Sequence, residues 1–488
     1  MKYLYLNYLK KRLSPLFSEV LWCVGQSSAS LFRVGERTLL SVFVLFMFAI
    51  TFNMKAQTIF EKGNHKFKTS GYLRTGVGRS EGGETQAHFQ MPGAQNKYSL
   101  GNQADTYGEL EFDYSYYFDE EKSKSLDVIW MSSIYEDFGT DTQMSFNKAE
   151  QLYVRANNFL GNGEVIWAGK RFYDRRAEHM LDRQWVNPGQ RGWGFGMEKL
   201  IQKGTDEDIK FGIWAFQEKG KDVSFINDEE DHLRAYTADV RYVHLPISET
   251  LKMNVSLNYS YRAENEIMEY DAKHGFAVIS WLDYEKKYIT NTTALIFRQG
   301  ASIPIHHWSG MSEKENPGND NIVLNDIASS YFLEINNNFL YDDKETFAVN
   351  GILSAVMRDY GTKPYEYNSA NPTNKAYLQG RDKKLYWLTA GARGMYYMSD
   401  HFKLHLELTH EYIKNEQLNV SGNLDKITFT PELSLEKGFY ARPVLRPFVT
   451  YAFWSDDLKG LIGNTPNGAP FGNNTSGFTY GLQFEIWW

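Results

Sequence analysis

The sequence predicts an all-β protein, a transmembrane antiparallel β-barrel, and three observations lead to this prediction. An export-type segment stands near the N-terminus, runs of alternating polarity follow it, and the chain ends on TYGLQFEIWW. Successive side chains of a strand point to opposite faces. In this last stretch the face from Phe478 to Trp488 is therefore wholly apolar, while Trp487 lies on a mostly polar face. The two terminal tryptophans are expected to meet different surroundings.

The export segment is the run LLSVFVLFMFAITF, residues 39–52, which two arginines precede. A basic stretch, an apolar core of this length and a small residue before the cut predict a secretory signal peptide that is cleaved after Ala56. A membrane anchor is the alternative, but a spanning helix needs about 20 apolar residues. We therefore expect residues 1–56, which include an over-long N-terminal extension, to be removed. Residues 57–488 are left as one barrel domain.

The segment after Ala56 contains alternating runs about 10 residues long, the length that a tilted strand needs to cross a bilayer. The clearest are TYGELEFDYSYYF, LKMNVSLNYSYR and FKLHLELTHEY. A soluble sandwich also alternates, but here the second face carries ionised groups and the apolar face carries aromatic residues near its ends. In hydrocarbon every backbone group must be paired, so such strands can span only as a closed barrel. At roughly 24–27 residues per strand with its connection, the chain makes 16 or 18 strands.

The inside of this barrel is expected to be polar, with an aqueous channel. Stretches rich in Gly, Asn and Pro, such as GRSEGGETQ and IGNTPNGAPFGNN, are interpreted as connections between strands. The longer connections are expected to lie outside the cell and the short ones in the periplasm.

Composition and motifs exclude several classes of function. The net charge of -8 offers no basic surface for nucleic acid. The single cysteine, Cys23, lies in the predicted signal peptide, so the mature chain has no thiolate ligand or nucleophile. GRSEG, residues 78–82, matches the nucleophile elbow of hydrolases, but no helical pattern follows it, which favours a chance match. We predict no enzyme activity, no cofactor and no metal site.

Aromatic residues on the polar faces are the remaining unusual feature. They share parity with charged residues: Tyr72 with Arg74, Tyr107 with Glu109, and Trp487 with Glu485. A water-filled pore does not need large flat rings on that face. A sugar has an apolar C–H face that a ring can cover, and a rim of hydroxyls that arginine and carboxylate groups can bind. Packing of these rings against an inward-folded loop is the alternative.

Strings at both ends of the chain resemble the maltoporin family, the sugar-selective porins of the outer membrane. They are SGYLRTGVG, GAQNKYSLGNQADTYGEL, VIWAGKRFYDRR and HMLD in the N-terminal third, and ARPVLRPFVTYAFW and YGLQFEIWW at the end. The resemblance implies an 18-stranded barrel, a homotrimer in the outer-membrane lipid of a Gram-negative bacterium, and a third loop folded into the lumen as a constriction. It also implies that oligosaccharides, maltodextrin-like or related, pass by facilitated diffusion.

Carried over by position, the resemblance implies a sugar path of aromatic residues flanked by charged groups. The implied aromatic residues are Tyr72, Tyr107, Tyr440, Trp487 and, beside a neighbouring subunit, Phe138. The implied polar track and constriction comprise Arg74, Glu109, Arg175, Asp182 and Gln184. Three positions depart from the family, because Ser99 replaces a track arginine, Ala177 a constriction acid and Gln184 a constriction tyrosine. A general diffusion porin, in which the aromatic residues are structural, is the alternative function.

Overall fold

A computed structural model of the chain describes residues 57–94, 96–138, 146–186, 192–201, 206–219, 232–264, 272–303, 329–359, 384–416, 418–463 and 471–488. The predicted signal peptide lies outside the described residues, so its removal stays a prediction. Within these ranges no helix is both long enough and apolar enough to cross a membrane.

Most of the described residues form strands, and short 3-10 helices lie at Glu81–Gly83 and Asp456–Leu458. In chain order they are β1 (Gln57–Lys62), β2 (His65–Ser80), β3 (Asp105–Tyr117), β4 (Ser125–Asp137), β5 (Phe146–Asn157), β6 (Val165–Lys170), β7 (Arg176–Glu178), β8 (Arg183–Trp185), β9 (Trp193–Glu198), β10 (Asp208–Lys219), β11 (His232–Pro246), β12 (Leu251–Arg262), β13 (Lys273–Lys286), β14 (Ile289–Gly300), β15 (Tyr331–Asp342), β16 (Phe347–Asp359), β17 (Lys384–Tyr397), β18 (Phe402–Asn415), β19 (Val420–Ser434), β20 (Val444–Trp454) and β21 (Ser476–Trp487). All of these except β1, β7 and β8 join one closed antiparallel ring of 18 strands. The 18-stranded barrel that the resemblance implied is confirmed.

The ring closes where its first and last strands pair, and we call this pairing of β2 with β21 the seam. Tyr72 lies opposite Trp487 across the seam, while the other edge of β2 pairs with β3. Beyond the end of β21, Trp488 exchanges both backbone hydrogen bonds with Gly71, at 3.0 and 3.1 Å. There β1 folds back on β2 and continues the line of β21. The edges that an open sheet would expose are paired, as hydrocarbon requires.

The two faces of the wall have the polarity that a lipid solvent demands. On β18, Leu406 and Leu408 point outward and are 47% and 49% exposed, whereas Glu407 points inward and is fully buried. The parity predicted for the last strand is confirmed as well. The ring of Trp487 lies inside beside Tyr72.

The connections show which end of the barrel is which. Residues 118–124, 158–164 and 398–401 form short connections at one end, which is the periplasmic end in barrels of this kind. The C-terminus lies at the same end. β2 and β4 therefore finish at the extracellular end.

The segment 171–186, between β6 and β9, folds into the lumen, as predicted for the third loop. It carries the β7–β8 hairpin, which we call the constriction hairpin. Two of its arginines form ion pairs with strands of the wall that are distant from β6. Nη2 of Arg176 is 2.5 Å from Oδ1 of Asp283 in β13, and Nη2 of Arg183 is 2.5 Å from Oε1 of Glu334 in β15. The hairpin therefore extends across the channel.

The connection after β2 also folds inward, where we expected a long connection to lie outside the cell. This first loop is described over residues 81–94 and 96–104. The Tyr98 hydroxyl bonds Thr389 of β17 at 2.7 Å, and the Leu100 carbonyl accepts from Lys426 of β19. The expected external position is wrong for this loop, because its carbonyls and hydroxyls pair with buried polar groups of the wall.

The lumen is also less polar than the sequence predicted. Apolar side chains of the first loop and of the constriction hairpin join inward-facing wall residues in one buried cluster, which includes Phe89, Leu181, Trp281, Trp387 and Trp454. Alternation distinguishes the two faces of a strand, but it does not show that part of the inner face is covered by loops.

We predict that Trp488→Ala impairs assembly and leaves conduction unchanged. A Cβ atom on Gly71 would lie 2.5 Å from the Trp488 ring, so this ring covers the outside of the seam where the first and last strands meet. Its loss should lower the yield of folded, heat-resistant barrel in outer membranes, while barrels that do fold keep the normal single-channel current. Trp487→Ala, which removes the same ring from the inner face, is the matched control. A normal folded yield for Trp488→Ala would contradict this assignment.

Candidate functional site

A row of aromatic side chains crosses the seam on the inner wall. Tyr107, Tyr72 and Trp487 come from the neighbouring strands β3, β2 and β21, and consecutive ring centroids are 6.1 and 6.4 Å apart. Strand pairing and shared parity place them side by side. The ring centroid of His179, in the constriction hairpin, is 5.9 Å from that of Trp487. The ring centroid of Tyr440, between β19 and β20, is 6.1 Å from that of His179. We call these five side chains the aromatic row.

The Glu485 carboxylate organises the middle of the row. It accepts hydrogen bonds from the Tyr72 hydroxyl at 3.0 Å and from Nε of Arg442 at 2.9 Å, and it also accepts from Arg446. Glu485 and both arginines are buried. A buried charge is tolerated only when it is paired and hydrogen-bonded, so this group of side chains has little freedom to move.

Arg442 extends this organisation to Trp487 and the constriction hairpin. Its guanidinium carbon lies 4.2 Å from the centre of the Trp487 ring, which is cation–π geometry. Its Nη2 donates to Nε2 of His179 at 2.8 Å. Burial lowers the pKa of His179, which belongs to no spanning strand, to about 4. At neutral pH this imidazole is therefore uncharged and can accept the bond.

Arg74 ties the constriction hairpin to the wall beside the row. It binds Asp105 through Nε and Nη2 at 3.1 and 2.8 Å, and Asp182 of the hairpin connection through Nη1 at 3.1 Å. Asp182 also accepts from Gln103 of the first loop at 3.1 Å. Although burial opposes ionisation of Asp182, its pKa is held below the usual value, mainly by Arg74. The first loop, the hairpin and the wall therefore meet at one ion-pair network.

Glu109 accepts a hydrogen bond from the hydroxyl of Tyr107, as Glu485 does from that of Tyr72. It accepts from the Tyr107 hydroxyl at 2.7 Å, and Nη2 of Arg175 reaches both of its oxygens at 3.3 Å. In each case one carboxylate is shared by a tyrosine hydroxyl and an arginine. The result is a flat apolar ring with charge-assisted hydrogen-bonding groups along its rim.

The structure brings together most of the site residues that the sequence predicted. These are Tyr72, Tyr107, Tyr440, Trp487, Arg74, Glu109, Arg175 and Asp182. Gln184 does not join this group. It lies on β8 opposite Ala177 of β7, and its buried Oε1 has no hydrogen-bond partner among the described residues. Phe138 lies at the extracellular end of β4, where its N–H donates to the Ala104 carbonyl at 2.8 Å.

Several residues at the site were not predicted from the sequence. Arg442 and Arg446 have the same parity within ARPVLRPF. For Arg446, which lies inside β20, the alternation of the strand could have predicted an inward-facing side chain. His179 has no such signal. The position where the family has an arginine, Ser99, accepts at 3.2 Å from Arg393 of β17. A guanidinium therefore reaches this position from a different strand.

In the segment that matches the hydrolase motif, the serine hydroxyl is bound within the first loop. Ser80 is fully buried at the end of β2; its hydroxyl donates to the Thr85 carbonyl at 3.0 Å and accepts from the Ala87 N–H at 3.0 Å. Ser80 precedes a three-residue 3-10 helix, Glu81–Gly83, but the nucleophile of this motif must be exposed, and Ser80 is not. In the part of the chain that the structure describes, no group of His, Cys, Asp and Glu side chains is placed to hold a metal ion.

Comparison with known proteins gives a match to one sequence family and similarity to several solved structures. The profile of the LamB porin family matches residues 67–488. The outer membrane channel DcaP of Acinetobacter baumannii is 8% identical with a TM-score of 0.44, over 88% of this chain and 99% of that chain. The anion-selective porin from Comamonas acidovorans is 11% identical with a TM-score of 0.41, over 86% and 100%. The Escherichia coli carbohydrate-binding barrel Wzi, involved in group 1 capsule assembly, is 12% identical with a TM-score of 0.38, over 91% and 88%.

We predict that Asp182→Ala and Arg175→Ala both change the single-channel ion current, and that they shift the selectivity between anions and cations in opposite directions. Removing Asp182 leaves Arg74 with one carboxylate fewer, which should favour anions. Removing Arg175 leaves Glu109 without its arginine, which should favour cations. The measurement is the single-channel current and the reversal potential in a salt gradient, with Arg175→Lys as the charge-preserving control. Wild-type current and reversal potential in both alanine variants would rule out their place at the narrow part of the pore.

Proposed function

The chain belongs to the LamB porin family, and we propose that it carries oligosaccharides, maltodextrin-like or related, across the outer membrane by facilitated diffusion. The observation that carries this proposal is the aromatic row, in which the rings of Tyr107, Tyr72 and Trp487 follow one another along the inner wall. It is an outer-membrane porin of a Gram-negative bacterium. Selectivity of this porin for sugars is the part of its function that we propose.

The chemistry of the row fits a pyranose chain better than it fits hydrated ions. Ring faces cover the apolar C–H face of a sugar, while the carboxylate–arginine pairs at the rim exchange hydrogen bonds with its hydroxyls. Glu109 and Glu485 are each already bonded to a tyrosine and an arginine. The rings are therefore held in place before a sugar arrives, and less ordering entropy is lost on binding.

Transport requires that this binding be weak and repeated along the path. A pore must bind its solute well enough to admit it and weakly enough to release it. Millimolar affinity, about 4 kcal/mol, is the appropriate scale. A row of similar ring contacts allows a chain to advance from one ring to the next, with a new contact forming as another is lost. No bond is made or broken in this function.

We also propose that the protein is a homotrimer, as the family resemblance implies. Phe138 would then be the residue to examine at a subunit boundary, because it lies at the extracellular end of β4 beside the first loop. Native mass measurement of the detergent-solubilised protein tests the trimer. A folded, conducting monomer would contradict it without affecting the sugar proposal.

We predict that Trp487→Ala weakens sugar binding and leaves the open-channel ion current level or slightly higher. One aromatic contact contributes about 0.5–1.5 kcal/mol, so the half-blocking sugar concentration should rise roughly 2- to 12-fold. Tyr72→Ala should behave alike, and the double variant should be less than additive if one sugar ring contacts both. The measurement is blockade of single-channel current in planar bilayers by a panel of linear sugars.

The same measurement separates the alternatives. Blockade curves identical to wild type for both single variants would favour a general diffusion porin with structural aromatic residues. Cleavage products in the bath would indicate a hydrolase. Tyr412→Ala, which removes an outward-facing ring from β18, is the matched control and should leave blockade unchanged.

A further inference from the structure

An additional tyrosine lies beside the aromatic row at the extracellular end of the barrel. Tyr135 of β4 is the direct partner of Tyr107 in the β3–β4 register. Residues directly opposite each other in an antiparallel pair project to the same face, with Cβ atoms about 4.5–5.5 Å apart. Because Tyr107 faces the lumen, Tyr135 faces it too. An aromatic residue of the lipid-facing girdle would have the opposite parity.

The exposure of this ring distinguishes it from the middle of the row. Tyr135 is 47% exposed and Tyr440, at the other end of the row, is 44% exposed. Tyr72, Tyr107 and Trp487, which lie between them, are only partly exposed. A path through the barrel must be open to water at both ends, and these are the places where the inward-facing rings are open.

The hydroxyl of Tyr135, like those of Tyr72 and Tyr107, is bound to a carboxylate. Its hydroxyl donates to the Asp137 carboxylate at 2.5 Å, as Tyr107 donates to Glu109. On the same face of β4, Ser133 donates to the carboxylate of Glu150 of β5 at 2.9 Å. The site thus repeats the pattern of a flat ring beside a carboxylate that can accept hydrogen bonds from sugar hydroxyls.

We propose that Tyr135, with Asp137, forms a sugar subsite at the extracellular end of the pore, where one end of an uncharged oligosaccharide stacks before it reaches Tyr107. This proposal rests on the proposed sugar function and adds a binding residue to it.

The test uses the purified full-length barrel in planar bilayers and two probes, a disaccharide and a long linear maltodextrin. A disaccharide can bind at Tyr72 and Trp487 without contacting Tyr135, whereas a chain long enough to span the row contacts all three rings. Tyr135→Ala should therefore raise the half-blocking concentration of the long chain about 2- to 12-fold, the effect of one aromatic contact. The value for the disaccharide should stay as in wild type. Tyr135→Ala should also lower the association rate of the long chain more when the chain is added on the extracellular side than when it is added on the periplasmic side.

Three further variants make the result specific. Tyr135→Phe keeps the ring and should retain most of the blockade, because stacking is the main contact. Tyr412→Ala, an outward-facing tyrosine near the same end, should change nothing. Tyr135→Leu, which keeps apolar volume without a flat ring, repeats the test if the alanine variant does not fold. Folding is checked by an open-channel ion current equal to that of wild type.

The outcomes separate this proposal from the one beneath it. If no sugar blocks the wild-type channel, the sugar function itself is wrong. If sugars block wild type and Tyr72→Ala weakens the block, but Tyr135→Ala and Tyr135→Leu leave the long-chain curve unchanged, the subsite at Tyr135 is wrong and the sugar function stands. Equal losses for the disaccharide and the long chain would also overturn it, because they would indicate a general change in the pore.

Discussion

Closure of the sheet at the seam is the constraint on which the rest of this structure depends. A strand edge in hydrocarbon leaves unpaired N–H and C=O groups at a cost of several kcal/mol each, so β2 must pair with β21. That pairing sets Tyr72 opposite Trp487 and Arg74 opposite Glu485. Residues more than 400 positions apart in the sequence thereby become neighbours on one wall. The aromatic row and its central carboxylate are consequences of how the barrel closes.

The second constraint is the treatment of charge inside the wall. Inward-facing Glu485, Arg442 and Arg446 are buried, and such charges are stable only in pairs. The constriction hairpin and the first loop take part in the same networks, since Asp182 binds Arg74 and the Leu100 carbonyl accepts from Lys426. Groups of both loops therefore extend the ion-pair and hydrogen-bond networks of the wall, and these contacts help to hold the loops inside the lumen.

This arrangement gives the site a definite physical character. Each tyrosine hydroxyl of the row's wall strands shares a carboxylate with an arginine, so the rings are oriented and the charges beside them are largely compensated. A surface of this kind offers contact area and directional hydrogen bonds with little net charge. We infer that it suits an uncharged, amphipathic chain better than a small ion, which is the basis of the proposed sugar selectivity.

The sequence by itself determined the strands, their two faces and the inward side of Trp487, because the alternation of side chains is a local property with a period of two residues. It could also place Tyr72, Tyr107 and Arg74 on the lumen side and, through the resemblance to maltoporins, name Arg175 and Asp182. The apolar cluster inside the lumen, the inward fold of the first loop and the joining of His179 and Arg442 to the row were decided only by the tertiary structure. These contacts link residues far apart in the chain, through the register of paired strands and the path of loops. Neither leaves a periodic signal in the amino-acid order.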